Sequence, residues 1–340
     1  MPPSPSVEAA LDSSTDSQNF FKVEKYDEEY WDAYLTARPN YDDGRFYQRI
    51  YDYHKKHNPN PSWNLAHDVG TGPGNVAAQL ATRFSKVVAS DNNATHLAVA
   101  QHRLVQLSRV SFFQAASEDL ADHFPNGSVD LVTAAECLPL VDAEVAVDGF
   151  ARLLRPGGTL AAWFYGRPAF AASGPDAARC QALLDQTFSL AYQQVIRGGG
   201  PGAQQGWKRA TTRLVSWLDD VGFPAAQWES VERWKWNTHA LMCFYDPEVA
   251  CDIPVERISY IDAARELVVE ERDTNFWAAR WDVAAVRRFL DVALPGFKAI
   301  LETAEPEFGA LFSQLEAAMG GPSAIHDITW PVVLILATRK

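Results

Sequence analysis

Gly70, Gly72 and Gly74 stand at alternate positions directly after the apolar run Leu65-Ala66-His67-Asp68-Val69, and a helical pattern follows them. Glycine reaches backbone angles closed to other residues and lets a ligand come close to the main chain, while the first turn of a helix offers N–H groups without intrahelical partners. The chemistry this spacing suits is the cradling of a nucleotide cofactor. Asp91, the next acidic residue, closes a second apolar run, Val87-Val88-Ala89-Ser90, and leads into Asn92. A carboxylate there suits the two hydroxyls of a ribose; its plain alternative is a cap for the helix that residues 92–107 predict.

A sheet must hold these residues. Strand and helix signals alternate through residue 166, which implies a mainly parallel sheet with helices on both faces and ligands at the carboxyl ends of the strands. The segment from Phe112 to Leu120 ends a third strand, and Val129-Asp130-Leu131-Val132-Thr133-Ala134-Ala135-Glu136 makes a fourth. A helix over 142–153 is stopped by Pro156-Gly157-Gly158 before a fifth strand. A dinucleotide-binding fold also joins a strand, a glycine turn and an acidic residue about twenty positions on. In this chain, however, Asp68 precedes the glycines, Pro73 stands inside the turn, and the two free positions before the last glycine are missing.

The whole series resembles the class I S-adenosylmethionine-dependent methyltransferases. Within them Tyr34-Leu35-Thr36-Ala37-Arg38-Pro39-Asn40-Tyr41, Thr133-Ala134-Ala135-Glu136-Cys137, Ala162-Trp163-Phe164-Tyr165 and Trp330-Pro331-Val332-Val333-Leu334-Ile335-Leu336 are similar to segments of the trans-aconitate methyltransferase group and its fungal relatives. The resemblance implies an α/β, Rossmann-like, doubly wound seven-stranded sheet with an N-terminal helix and a mostly helical lid insertion, and S-adenosylmethionine as cofactor. On that basis Asp68 either fixes the glycine turn or assists the methionine amino group, Ser117 and Glu118 lie at the adenine, and Glu136 leaves the fourth strand beside the methionine moiety, or is a solvated rim residue. Ala116 departs from the acidic residue of many relatives. Tyr34 can face a sulfonium and Arg38 a methionine carboxylate, whereas Trp31 reads as packing. A sulfonium methyl is already activated, so alignment, exclusion of water and, for some acceptors, a base are what the protein adds. His239, His326 and Tyr165 are the candidate bases, and no metal is expected.

Composition bounds the partners. The 340 residues carry a formal charge of −13, with 47% hydrophobic residues, which argues against a nucleic-acid surface. Cys137, Cys180, Cys243 and Cys251 lack metal-ligand spacing, and no secretion signal or membrane-length apolar run stands out, so the expectation is a cytoplasmic chain, monomer or homodimer, acting on a small molecule. The expected organisation is a disordered tail over 1–19, an N-terminal helical lid segment over 20–63 with a helix from 24 to 37, and a cofactor-binding core over 64–166. The rest of the core follows over 167–236, with a flexible loop at 197–202, a helix at 207–221 capped by Gly222 and a strand at 227–236. A substrate lid over 237–326 with helices near 274–293 and 304–319, and a closing strand within 327–340, complete it.

Two departures bear on the acceptor. Pro139-Leu140 replaces a His-Trp pair of the nearest group, and Ala279-Arg280-Trp281 replaces Arg-Thr-Trp in its lid. The change points away from a polycarboxylate and toward a more apolar acceptor, helped by Trp207, Trp228, Trp234, Trp236, Phe276 and Trp277. The expected activity is methyl transfer to a carboxylate, hydroxyl or enol oxygen, plausible in secondary metabolism. The rival readings are a cofactor-binding enzyme that catalyses a non-methylating reaction such as cyclisation, and a regulatory binding protein without an acceptor cavity.

Overall fold

Runs that are apolar on both faces need cover on both sides, and they form the centre of the molecule. β1 (Leu65–Val69), β4 (Val129–Ala135), β5 (Leu154–Tyr165) and β11 (Val332–Arg339) are buried over nearly all their length. The computed structural model describes residues 28–39, 41, 44–58, 60–198, 201–238, 245–246, 256–294, 296–304 and 306–340. The expected tail over 1–19 and the start of the N-terminal helix lie outside them. With β2 (Lys86–Asp91), β3 (Val110–Gln114), β7 (Trp228–Trp236) and β8 (Leu267–Glu271), the main sheet runs β3-β2-β1-β4-β5-β11-β7-β8. Pairing is parallel from β3 to β5, antiparallel on both sides of β11, and parallel again between β7 and β8.

The sheet has eight strands where seven were expected. The added strand β8 comes from the insertion read as a mostly helical lid, and pairs Glu232–Trp236 with Leu267–Glu271. α2 (Gly44–Lys56) packs on β5 and β11, α3 (Asn75–Leu80) on β1 and β2, α4 (Ala94–Arg103) on β2 and β3, and α5 (Ala143–Leu153) on β5. α5 is capped by Asp142, which accepts from the Val145 N–H at 3.2 Å, and runs directly into β5. Pro156-Gly157-Gly158 is therefore not a stop ahead of the fifth strand but a bulge inside it. The register steps from Val129↔Leu154 to Leu131↔Thr159, and Gly157 supplies the positive φ of 78°.

The closing strand is also two strands. β10 (His326–Thr329) leaves the main sheet and joins β6 (Ala169–Phe170) and β9 (Ala279–Trp281) in a small antiparallel sheet. Pro331, which has no N–H for a ladder, separates it from β11. Asp282 caps α8 (Val283–Ala293) through the Ala285 N–H at 2.8 Å, so the helix expected near 274 starts later and follows a strand. α9 (Phe297–Thr303) and α10 (Glu307–Ala318) complete the insertion. α6 (Pro175–Gly198) and α7 (Pro201–Val215) take up most of the stretch expected as a glycine loop, of which residues 199 and 200 lie outside the description. α7 ends well before Gly222 because Trp217 and Leu218 take left-handed φ values of 52° and 59°. α1 (Glu28–Ala37) packs against α8, and α6 against α10. No helix among the described residues is long and apolar enough to cross a membrane.

Candidate functional site

A cavity of about 650 Å³ opens where β1, β2 and β4 end. Its floor is the glycine turn. The Thr71 N–H donates to the Ser90 carbonyl at 2.8 Å and the Gly74 N–H to the Thr71 carbonyl at 2.9 Å, which folds the turn back on itself. Gly70 and Gly72 take φ of 66° and 52°, a region costly for other residues. A Cβ on Gly70 would meet the Cys137 Sγ at 3.1 Å, whereas one on Gly72 meets no protein atom within 4 Å, and Gly72 lines the cavity. Gly74 does not line it. A Cβ there would strike Leu104 Cδ1 at 2.7 Å, so this glycine serves the packing of α3 on α4.

Asp68 is 1% exposed, accepts from Thr133 Oγ1 at 2.8 Å and from Thr71 Oγ1 at 2.6 Å, and burial pushes its carboxyl up to about 6. These bonds tie it to the turn. Asp91 accepts from the Gly72 N–H at 3.0 Å and the Asn93 N–H at 2.9 Å, with His96 Nδ1 at 3.4 Å. The cap of α4 is Asn93, through the Thr95 N–H at 2.8 Å, which leaves Asp91 facing the cavity beside Asn92. Ser117 donates to Glu118 Oε2 at 2.7 Å, and Glu118 Oε1 accepts from the Asp142 N–H at 3.0 Å, so this pair bridges the loop after β3 to the start of α5.

At the opposite end Glu136 sits one residue past β4 with φ 55°. Its N–H donates to the Trp163 carbonyl at 2.8 Å and its Oε1 accepts from the Tyr165 N–H at 2.7 Å. Burial pushes its carboxyl up to about 8, opposed by Arg38 and the Tyr165 N–H. Arg38 donates to Tyr34 Oη at 2.8 Å and to the Ala293 carbonyl at 3.1 Å, lies 4.8 Å over the Tyr34 ring, and buries an Nε that has no hydrogen-bond partner. The roof is apolar, built from Trp31 and Tyr34 of α1, Tyr192 of α6, Trp207 of α7, and Leu294 after α8.

A family model described as "Methyltransferase domain" matches residues 67–162, from β1 through most of β5. Methyltransferase pgmE of Aspergillus terreus is 48% identical over 335 residues, covering 96% of this chain and 98% of its own length. The chain belongs to the class I S-adenosylmethionine-dependent methyltransferases. Methyltransferase cfoB of Aspergillus candidus is 43% identical, covering 92% of this chain and 96% of its own. A solved structure described as a type II methyltransferase, from Anaeromyxobacter dehalogenans, shares the fold with a TM-score of 0.50 at 18% identity, over 85% of this chain and 94% of that one.

The methyltransferase cavity gathers Tyr34, Arg38, Asp68, Gly70, Gly72, Asp91, Asn92, Ser117, Glu118 and Glu136, and leaves out two of the candidate bases, Tyr165 and His326. Tyr165 is fully buried and does not line the cavity, and burial raises its phenol well above the ordinary value. His326 is in β10, with Nε2 2.9 Å from the Met319 carbonyl, and His239 lies outside the described residues. Of the aromatic residues expected to face an acceptor, Trp207 lines the cavity. Trp228, Trp236, Phe276 and Trp277 are core residues, and Trp234 stacks under Arg49, whose guanidinium lies 3.5 Å from the ring centroid. Pro139 and Leu140 line the methyltransferase cavity, but Arg280 is exposed in β9.

From the sequence alone no role is expected for His96, Thr71 or Thr133, and Trp31, expected as packing, also lines the cavity. His96 lies in the first turn of α4 and faces back on Asp91, a position visible from the spacing. Trp31 meets its ring edge to face at 5.2 Å. Thr133 reaches Asp68 only because β1 and β4 pair in the register Asp68↔Thr133, which no local pattern encodes.

Proposed function

We propose that this methyltransferase holds S-adenosylmethionine on the glycine turn and methylates an oxygen of a small, largely apolar acceptor, a carboxylate, hydroxyl or enol, in fungal secondary metabolism. The observation that carries the proposal is the division of one cavity into a polar floor and an aromatic roof. The residues present fit the cofactor: the open space at Gly72 gives a ligand close approach to the backbone, and the unpartnered Arg38 Nε can meet an anionic group.

When bound, the cofactor supplies a methyl group already activated as a sulfonium. Asp91 is held so that its oxygens can accept from ribose hydroxyls, with Asn92 beside it. Ser117 and Glu118 form the adenine end. Tyr34 of α1 and Arg38 directly after it close the methionine end, and Asp68 keeps the turn in shape. Trp31, Tyr192, Trp207 and Leu294 exclude water and orient the acceptor, which is the larger part of catalysis for an activated methyl. Fungal relatives that match along nearly their whole length support this reading.

The test is S-adenosylhomocysteine release from S-adenosylmethionine across a library of oxygen acceptors, with Trp207→Ala as comparison. Methylation of apolar acceptors, with a raised KM in the variant and unchanged cofactor affinity, is expected. Turnover confined to small polycarboxylates would overturn the proposal.

A further inference from the structure

Four carboxylates reach the floor of the cavity from buried or half-buried positions, and three of them are spoken for. Asp68 has one oxygen on Thr71 and the other on Thr133. Asp91 has one on the Gly72 N–H and the other on the Asn93 N–H, and Glu118 one on Ser117 and the other on the Asp142 N–H. Glu136 differs. Its Oε1 takes the Tyr165 N–H, and its Oε2 accepts no hydrogen bond from any described residue, although the side chain lines the cavity. Its backbone holds a left-handed φ of 55° that only a surrounding framework maintains in a residue with a side chain, and both fixing bonds are made with β5, a strand buried over most of its length.

The charge of the wall bears on the acceptor. Among the described residues that line the cavity Arg38 is the one Lys or Arg, against Asp68, Asp91, Glu118, Asp119, Glu136 and Asp142. Its guanidinium is engaged by Tyr34 and the Ala293 carbonyl, and on the reading above its free Nε serves the cofactor's own carboxylate. An anionic acceptor would meet like charge without a counter-ion of its own, and a carboxylate needs no base. A neutral hydroxyl compound needs one and is not repelled.

We infer that Glu136 is the proton acceptor of the reaction and that its partner is a neutral, planar compound bearing a phenolic or enolic hydroxyl. The inference rests on reading the cavity as the site of methyl transfer. The acceptor's O–H proton passes to Glu136 Oε2 as an oxygen lone pair forms the new O–C bond. The carbon–sulfur bond breaks with its electrons left on sulfur, and the sulfonium charge is discharged. The groups facing Glu136 are Arg38 directly after α1, Tyr41 three residues on, and Tyr165 from β5, with Tyr34 bonded to Arg38 behind them. Burial among them holds the carboxyl at about 8, near the working range that general base catalysis requires.

The experiment uses the full chain, Glu136→Gln, and two probes of one skeleton, 2-naphthol and 2-naphthoate. Gln keeps an acceptor for the Tyr165 N–H but cannot take a proton. Expected are S-adenosylhomocysteine affinity within about threefold of the unmodified enzyme, a kcat on 2-naphthol lower by roughly 10²–10⁴, and loss of the rise in kcat/KM with pH that the unmodified enzyme shows. 2-Naphthol should bind the S-adenosylhomocysteine complex at least tenfold more tightly than 2-naphthoate. Retained kcat in the variant, a tenfold loss of cofactor affinity with kcat intact, or equal, reversed or absent binding of the probes would each overturn the inference. If S-adenosylhomocysteine itself fails to bind the unmodified enzyme, the site reading beneath it falls as well.

Discussion

Asp91 carries two tasks with one carboxylate. It organises the Gly72 and Asn93 N–H groups, and it still presents oxygen lone pairs to the cavity. Asp91→Ala therefore loses both the turn's anchor and the ribose acceptor, and cofactor affinity measured by calorimetry should fall about tenfold to a hundredfold, the equivalent of roughly 1.5–3 kcal/mol for charge-assisted bonds. Unchanged affinity would refute the ribose assignment. Glu136 makes a different prediction, about stability. Its folded carboxyl lies at about 8 against an ordinary 4.5, so its contribution is fully present below pH 4.5 and is lost as pH rises through 8. Glu136→Gln should gain on the unmodified protein by roughly 1–3 kcal/mol between pH 5 and pH 9, allowing for screening by cavity water. Urea unfolding without cofactor at the two pH values checks this, and a difference that does not change with pH would contradict it. Asp91 and Asp68 were readable from their places beside the glycines. The open oxygen of Glu136 was not, because it depends on which neighbours from other strands do and do not reach it.

Among the elements, the glycine turn separates binding from folding. Gly72 has open space where a side chain would go and Gly74 has Leu104. Gly72→Val should lose about 1–3 kcal/mol of stability to its left-handed φ of 52° and, in the fraction that folds, should no longer bind S-adenosylhomocysteine. Gly74→Ala should lower the melting temperature through overpacking, by the equivalent of about 1–3 kcal/mol, with binding retained in the fraction that folds. Calorimetry and thermal unfolding on both variants decide it, and the reverse pattern would show the two glycines exchanged in role. The first five strands and the helices between them follow from local signals, since each is a short apolar run bounded by a turn. The last third was less legible. Asp282 and Pro331 mark breaks that their residue types announce, but β8 and β9 are short, and Leu267 and Val268 are exposed, so neither periodicity nor burial distinguishes them from loop. What fixes β8 is a vacant edge on β7, a property of the sheet rather than of the segment.

At the scale of the whole molecule, the cavity is roofed by helices far apart in the chain, α1 near its start and α6, α7 and the end of α8 well beyond the first five strands. Their contact with bound cofactor should add to their stability by linkage. S-Adenosylhomocysteine should slow amide hydrogen exchange over 28–37 and near 293–294 more than over β11, which is buried whether or not ligand is present. Uniform protection, or protection confined to the glycine turn, would show that α1 takes no part in holding the ligand.

β11, the last strand in sequence, lies between β5 and β7. During synthesis the strands from β1 to β5 can pair as they emerge, but β7 and β8 have no place in the main sheet until residues 332–339 leave the ribosome. Until then β5 and β7 each show an open edge. The nascent chain thus presents two unpaired strand edges for the whole time needed to translate the insertion, the interval in which wrong pairing competes with correct folding.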